Sequence, residues 1–280
     1  MTASRLGRRA GLVAAATAAL VALWASPASA DTSQASAVAA TVTAAGGGAV
    51  SSGTFSATSD GQTASTSGNA QPALSVLGSQ TLITSGVLVQ KAVAGNDGTS
   101  AACAGLVGAG GGIAIGSDGT CTVDPGSGGV NIRLVGGLTP VDIKADAITS
   151  RCTATSAGAV TTGVTLTNAR VTTAVAIALP VNPGTGVSVS VPGVATILLN
   201  GQTQPQGAGS VRVSALTVSL LGSTAAVEVA ASSCGLNVAT LPVPAVPLSG
   251  WTVAAGAVVV GWGVLAVRFV RRRAGSVLVA

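Results

Sequence analysis

Apolar positions in this chain follow two patterns. Between Asp31 and Asn237 they come in short runs, several with a period of two, punctuated by Gly, Pro, Asn and Asp. At the two ends they form unbroken stretches. The clearest alternation sets Val141, Ile143, Ala145 and Ala147 against Asp142, Lys144 and Asp146. It predicts a strand with one buried face that runs on toward Cys152. Strands are likewise expected over Val130 to Val135, Val160 to Leu166, Val171 to Leu179 and Val227 to Cys234. One or two more lie within Leu74 to Val93, and Val187 to Val191 sits among Pro-Gly turns. Ala37 to Ala44 and Ala49 to Ala57 flank Gly46-Gly47-Gly48 and predict a first hairpin or a mobile arm, with strands preferred.

Turn chemistry divides these runs. Asp60-Gly61 and Asn96-Asp97-Gly98 are turns, and Ala195 to Leu199 leads into Asn200-Gly201, a strong hairpin signal. Val211, Val213 and Ala215 share one parity, whereas Leu216, Val218 and Leu220 share the other. That switch predicts a β-bulge. Ala101 to Cys121 is glycine-dense and offers no such pattern. Short strands without intervening helices predict an all-β fold, an antiparallel β-sandwich or barrel-like ectodomain.

The end stretches are of another kind. Arg5, Arg8 and Arg9 precede the apolar run Ala10 to Trp24, and Ala28-Ser29-Ala30 has the small-x-small form of a cleavage site. This predicts an N-terminal signal peptide cut between Ala30 and Asp31, with Ala28 and Ala30 as the recognised residues. Arg8-Arg9 leaves general secretion and twin-arginine export both open. At the other end Leu248 to Val267 carries no charge over 20 residues. A helix of that length covers ~30 Å, the hydrocarbon thickness of a bilayer. Trp251 suits the headgroup region at one end, and Arg268, Arg271, Arg272 and Arg273 hold the other end in the cytosol. One C-terminal transmembrane helix is expected, N-terminus out and C-terminus in.

The expected organisation is a signal peptide over 1–30 and a Gly-rich β part over 31–147. A β block bracketed by cysteines follows over 148–237, making one large domain or two small ones. A Pro-rich spacer over 238–250, a transmembrane helix over 251–270 and a cytoplasmic tail over 271–280 complete it.

This layout changes the meaning of the charge. The formal +5 includes seven basic residues in the two end segments. Asp31 to Gly250 keeps six basic residues against all eight acidic ones, a net of −2. No basic patch with interleaved aromatics exists, so nucleic acid is not an expected partner. Phe55 is the one aromatic residue in that stretch, which disfavours stacking on sugar rings. The core must be built from Ala, Val, Leu and Ile, and covalent support is expected.

Cys103, Cys121, Cys152 and Cys234 supply that support. All lie in the exported part, where disulfides persist. Of three pairings the favoured one is Cys103–Cys121, closing a local loop, with Cys152–Cys234 joining the first and last strands of the second block. Zinc ligation would need close cysteine pairs, which are absent. The chain has no histidine, so Ser-His-Asp and Cys-His catalysis are excluded. Asp142, Asp146 and Glu228 read as solvated strand positions rather than paired catalytic acids. The Gly-rich stretch lacks the lysine and helix of a phosphate loop, and Asp118 and Asp124 lack calcium-loop spacing. No enzyme, cofactor or metal is expected.

Several short motifs remain. They are Ser150-Arg151-Cys152-Thr153-Ala154, Leu166-Thr167-Asn168-Ala169, Leu179-Pro180-Val181-Asn182-Pro183, Ile197-Leu198-Leu199-Asn200, Val213-Ser214-Ala215-Leu216-Thr217-Val218 and Ser232-Ser233-Cys234-Gly235. On these residues the block Ile148 to Asn237 resembles the choice-of-anchor family P ectodomains of secreted actinobacterial surface proteins. The resemblance implies an anchored surface protein and no defined reaction. Leu241-Pro242-Val243 is similar to the start of a Leu-Pro-x-Thr-Gly sorting signal, but Pro244-Ala245 stands where Thr-Gly belongs. Pro247 to Trp251 is similar to a Pro-Thr-Leu-Ser-x-Trp tail and also departs from it. A retained membrane helix is therefore preferred over wall attachment. The expected function is an exported, membrane-anchored structural or interaction protein at the cell surface, with an envelope glycan-binding module or a sortase-like wall protein as alternatives. Its expected partners are the membrane, through one span, and envelope polymers or other surface proteins.

Overall fold

The structure, a computed structural model, describes residues 31–43, 48–72, 83–134, 141–173, 176–204, 209–220 and 226–239. These residues form strands and no helix. In chain order the strands are β1 (Asp31–Thr43), β2 (Ala49–Ser51), β3 (Phe55–Ser59), β4 (Ser65–Pro72), β5 (Ile83–Ser85), β6 (Val87–Ala94) and β7 (Ser100–Val107). Next come β8 (Gly112–Ile115), β9 (Cys121–Asp124), β10 (Val130–Leu134), β11 (Val141–Ala145), β12 (Ala147–Ala154) and β13 (Val160–Thr167). The last are β14 (Arg170–Thr172), β15 (Ala176–Ala178), β16 (Val187–Val191), β17 (Ala195–Thr203), β18 (Val211–Leu220) and β19 (Ala226–Ala239). All pairings between them are antiparallel.

They stack as a two-layer β-sandwich. The first layer is a seven-stranded sheet ordered β16-β17-β18-β19-β1-β2, with β3 also on β1. The second consists of two five-stranded sheets, β13-β12-β7-β6-β4 and β15-β14-β11-β10-β5. They meet end to end, because β5 runs through Gly86 into β6, β11 through Asp146 into β12, and β13 through Asn168-Ala169 into β14. One hydrophobic core joins all three sheets. Its centre is unusually small-chained: Ala35, Ala37, Ala39 and Ala40 of β1, Ala92 of β6 and Ala102 and Ala104 of β7 are all buried.

Each layer changes the parity of its inward residues along a line. In the first layer Ala35, Ala37 and Ala39 face the core, and so do Ala40 and Val42. The same shift occurs at Val229/Ala230, Ala215/Leu216 and Leu199/Asn200. Pairing skips one rung at each place, yet the register is continuous from β17 to β18 and from β18 to β19. Asn200 and Ala230 stand there at φ of 51° and 54°. The parity switch expected in β18 is therefore present, but no extra residue makes it; left-handed residues in the neighbouring strands do. Asn200-Gly201 accordingly lies inside β17 and is not a hairpin turn. Asparagine tolerates the left-handed region that a hairpin would also require, so the two uses share one sequence signal.

Other expectations are corrected in the same way. The alternating run from Val141 is two strands, one in each sheet of the second layer, broken at Asp146. The segment from Val171 to Leu179 is a turn-back, β14 against β15. The glycine-dense stretch opens with β7, which is buried along its whole length. The two sequence blocks interleave: β1 pairs with β19 from Asp31↔Ala239 to Thr43↔Ala226, and 29–241 is one compact unit.

Candidate functional site

The covalent frame was legible in the sequence. Cys152 bonds Cys234, joining β12 in one layer to β19 in the other, with Cα atoms 5.7 Å apart. Two residues earlier on both strands, the buried Ser150 and Ser232 hydroxyls meet at 2.7 Å. The repeated Ser-x-Cys spacing thus makes a double pin between layers. Cys103 bonds Cys121, with Cα atoms 6.2 Å apart. This bridge clasps the small β8–β9 hairpin onto the outer face of the second layer, where Ile113 packs on Val89, Val107 and Ala147.

A second polar pin escaped sequence reading. Gln90, 2% exposed, reaches across from β6 to the line where β1 loses a rung. Its Oε1 accepts from the Ala39 N–H at 2.6 Å and the Ser52 hydroxyl at 2.8 Å. Its Nε2 donates to the Ser52 carbonyl and to Asn69 Oδ1, each at 3.0 Å. The only available hint was a glutamine at an inward position of an apolar strand.

Two hairpin turns repeat one design. Gly95-Asn96-Asp97-Gly98-Thr99 and Gly116-Ser117-Asp118-Gly119-Thr120 each close with a Gly N–H donating to the Thr carbonyl, at 2.7 and 2.9 Å. Gly98 and Gly119 take φ of 81° and 79°, conformations that L side chains rarely adopt. In each turn the aspartate accepts from the threonine hydroxyl and N–H. Those bonds, hydroxyl first, hold both carboxyls below their ordinary value. Asp60 is lowered too, by the Gln62 and then the Thr63 N–H. Both G-x-D-G-T turns line one groove with Thr153 and Thr155. The sequence marked Asn96-Asp97-Gly98 as a turn; the recurrence of its Gly-x-Asp-Gly-Thr spacing at Gly116 to Thr120 went unmarked, although that spacing signals the second turn.

The remaining charges serve the outer faces. Asp142 pairs with Arg133 at 3.1 Å, and Asp146 accepts from the Asn168 amide. Glu228 is not a bare solvated position: it pairs with Arg212 at 2.7 Å and accepts from the Ser214 hydroxyl. Among the described residues no group of His, Cys, Asp and Glu gathers as metal ligands, and no helix is long and apolar enough to cross a membrane. Ala28, Ala30, Trp251, Arg268, Arg271, Arg272 and Arg273 lie outside the described residues, as do the spacer from 240 and the expected helix.

The described residues form an all-β domain of two stacked antiparallel layers, stapled by two disulfide pairs. A scan against family profiles, a search of curated proteins and a search of solved structures each found no match.

Proposed function

We propose that the protein is an exported, membrane-anchored module of the cell surface that acts by structure and contact and performs no catalysis. The observation that carries this reading is the pair of disulfides, which fits an oxidising compartment outside the cytosol. Two further features support it. β1 is described from Asp31 on, so a chain cut after Ala30 keeps every described rung of the β1–β19 pairing. Asp31 pairs with Ala239, so leader and stalk attach side by side at the adjoining ends of two interior strands, β1 and β19. The likeness of 148–237 to choice-of-anchor family P ectodomains points the same way.

Because β19 runs to Ala239, the stalk before Trp251 is shorter than the sequence suggested. Residues 240–250 span about 34 Å even when extended like polyproline. A retained helix therefore keeps the domain close to the bilayer. Cell fractionation is expected to place the chain with membranes, and deletion of 241–280 to release it into the medium. Recovery of the domain covalently bound to purified wall would overturn the retained helix, and retention of the truncated chain in the cytosol would overturn export.

A further inference from the structure

Six cations lie between Asp31 and Gly250, and their use divides them. Arg133 and Arg212 are engaged in ion pairs. Lys91, Arg151, Lys144 and Arg170 have no acidic partner among the described residues. All four sit on strands of the second layer, at positions that alternate with its core residues. Lys91 and Arg151 flank Cys103, one strand away on either side. Lys144 and Arg170 are direct partners across β11 and β14, both exposed.

Like charges placed directly opposite on an antiparallel pair repel. A chain with so few charges had many neutral residues available for either place. The acids on either side of Lys144 are Asp142, which is paired with Arg133, and Asp146, which accepts from the neutral Asn168 amide; neither forms an ion pair with Lys144 or Arg170. The same row continues to Asn131, the partner of Lys144 on β10. Asn131 donates to Thr84 Oγ1 at 2.9 Å, while its own Oδ1 is buried and accepts nothing. Gly128, Gly129, Lys144, Asp146, Asn168 and Arg170 border a groove of ≈ 470 Å³. Two adjacent exposed cations on this groove match an anionic oxygen group.

We propose that Lys144 and Arg170 bind the anionic groups of an envelope glycopolymer. The choice of an envelope polymer rests on the surface placement proposed above. Arginine supplies the planar fork for a phosphate or carboxylate, and lysine supplies a mobile point charge. An anion between the two side chains removes the repulsion that the bare pair carries.

The test uses the purified full-length chain in detergent micelles at low salt. Its probes are poly(glycerol phosphate), polygalacturonate and neutral dextran. The expected result is binding to one or both anionic polymers, none to dextran, and a rise in melting temperature with the polymer bound. K144Q/R170Q is expected to weaken binding about tenfold or more and to abolish that rise, while K91Q/R151Q changes binding less than about threefold. Without polymer, K144Q/R170Q should melt no lower than the parent, which separates lost recognition from lost folding. The proposal is overturned if neither anionic polymer binds, if dextran binds equally well, or if the two double variants lose binding alike. The phosphate and carboxylate arms identify the source of the anion. A cytosolic location with binding intact would remove the surface reading and leave the site standing.

Discussion

Replacing Gln90 with leucine removes a side chain that closes a gap in the hydrogen-bonding of β1. The volume is nearly conserved, so the cost is polar. In the parent, Oε1 serves the Ala39 N–H and the Ser52 hydroxyl, and Nε2 serves the Ser52 carbonyl. After Gln90→Leu the Ala39 N–H keeps the Ser52 Oγ as acceptor at 3.0 Å. The Ser52 hydroxyl proton and the Ser52 carbonyl lose their side-chain partner inside the protein. Each buried orphan costs about 1–3 kcal/mol. Burying leucine returns about 1–2 kcal/mol of hydrophobic transfer. The net expectation is a loss of about 3 kcal/mol, whereas Asn69→Ala, which removes only a half-buried partner, should cost under about 1 kcal/mol. Urea unfolding followed by circular dichroism measures both, since Phe55 is the domain's one aromatic residue and tryptophan fluorescence does not report on it. If Gln90→Leu unfolds within 0.5 kcal/mol of the parent, roughly the noise of such a comparison, the role given to Gln90 in spanning the skipped rung is wrong.

The two disulfides should differ. Chain-entropy arguments give about 4.5 kcal/mol for Cys152–Cys234, which closes 82 residues, and about 3 kcal/mol for Cys103–Cys121, which closes 18. Under graded dithiothreitol, mass spectrometry should find Cys103–Cys121 opened first, because Cys121 is half-buried while Cys152 and Cys234 are enclosed and Lys91 and Arg151 favour the leaving Cys103 thiolate. Simultaneous opening would contradict that order. Acid should weaken the fold through the twin turns. Asp97 and Asp118 have native pKa values below the ordinary 3.8, so the unfolded chain binds more protons there. Their contribution is complete above that value and is lost as pH falls through the lowered native values. Asp97→Ala/Asp118→Ala should therefore flatten the acid limb of a stability–pH curve, and an unchanged limb would refute the assignment.

How much the sequence revealed depended on side-chain size and on solvent. Where one face met water, as in Val141 to Ala145, alternation marked the strand. The places of Cys152 and Cys234 at the two ends of the second block likewise foretold the bridge between them. β7 gave no such pattern. It is covered on both faces, by the core on one and by the β8–β9 hairpin on the other, and Ala101, Ala102, Ala104 and Gly105 leave no polar–apolar contrast. The row of parity shifts was visible in β18 alone, because Leu and Val stand there on both sides of the switch. In β1 alanines at Ala37, Ala39 and Ala40 hide it. Asn200-Gly201 misled because a left-handed residue inside a strand and one in a hairpin use the same chemistry. Gln90 was hidden for a different reason: its partners, backbone groups among them, lie up to 51 residues away.

Peptide mapping of the unreduced chain, purified from cells with free thiols blocked at lysis, tests the account most directly. It should return two cross-linked pairs, Cys103 with Cys121 and Cys152 with Cys234, no blocked thiol, and a first residue of Asp31. Blocked, unpaired cysteines on a chain still starting at Met1, or Cys103 joined to Cys152 or Cys234, would contradict it.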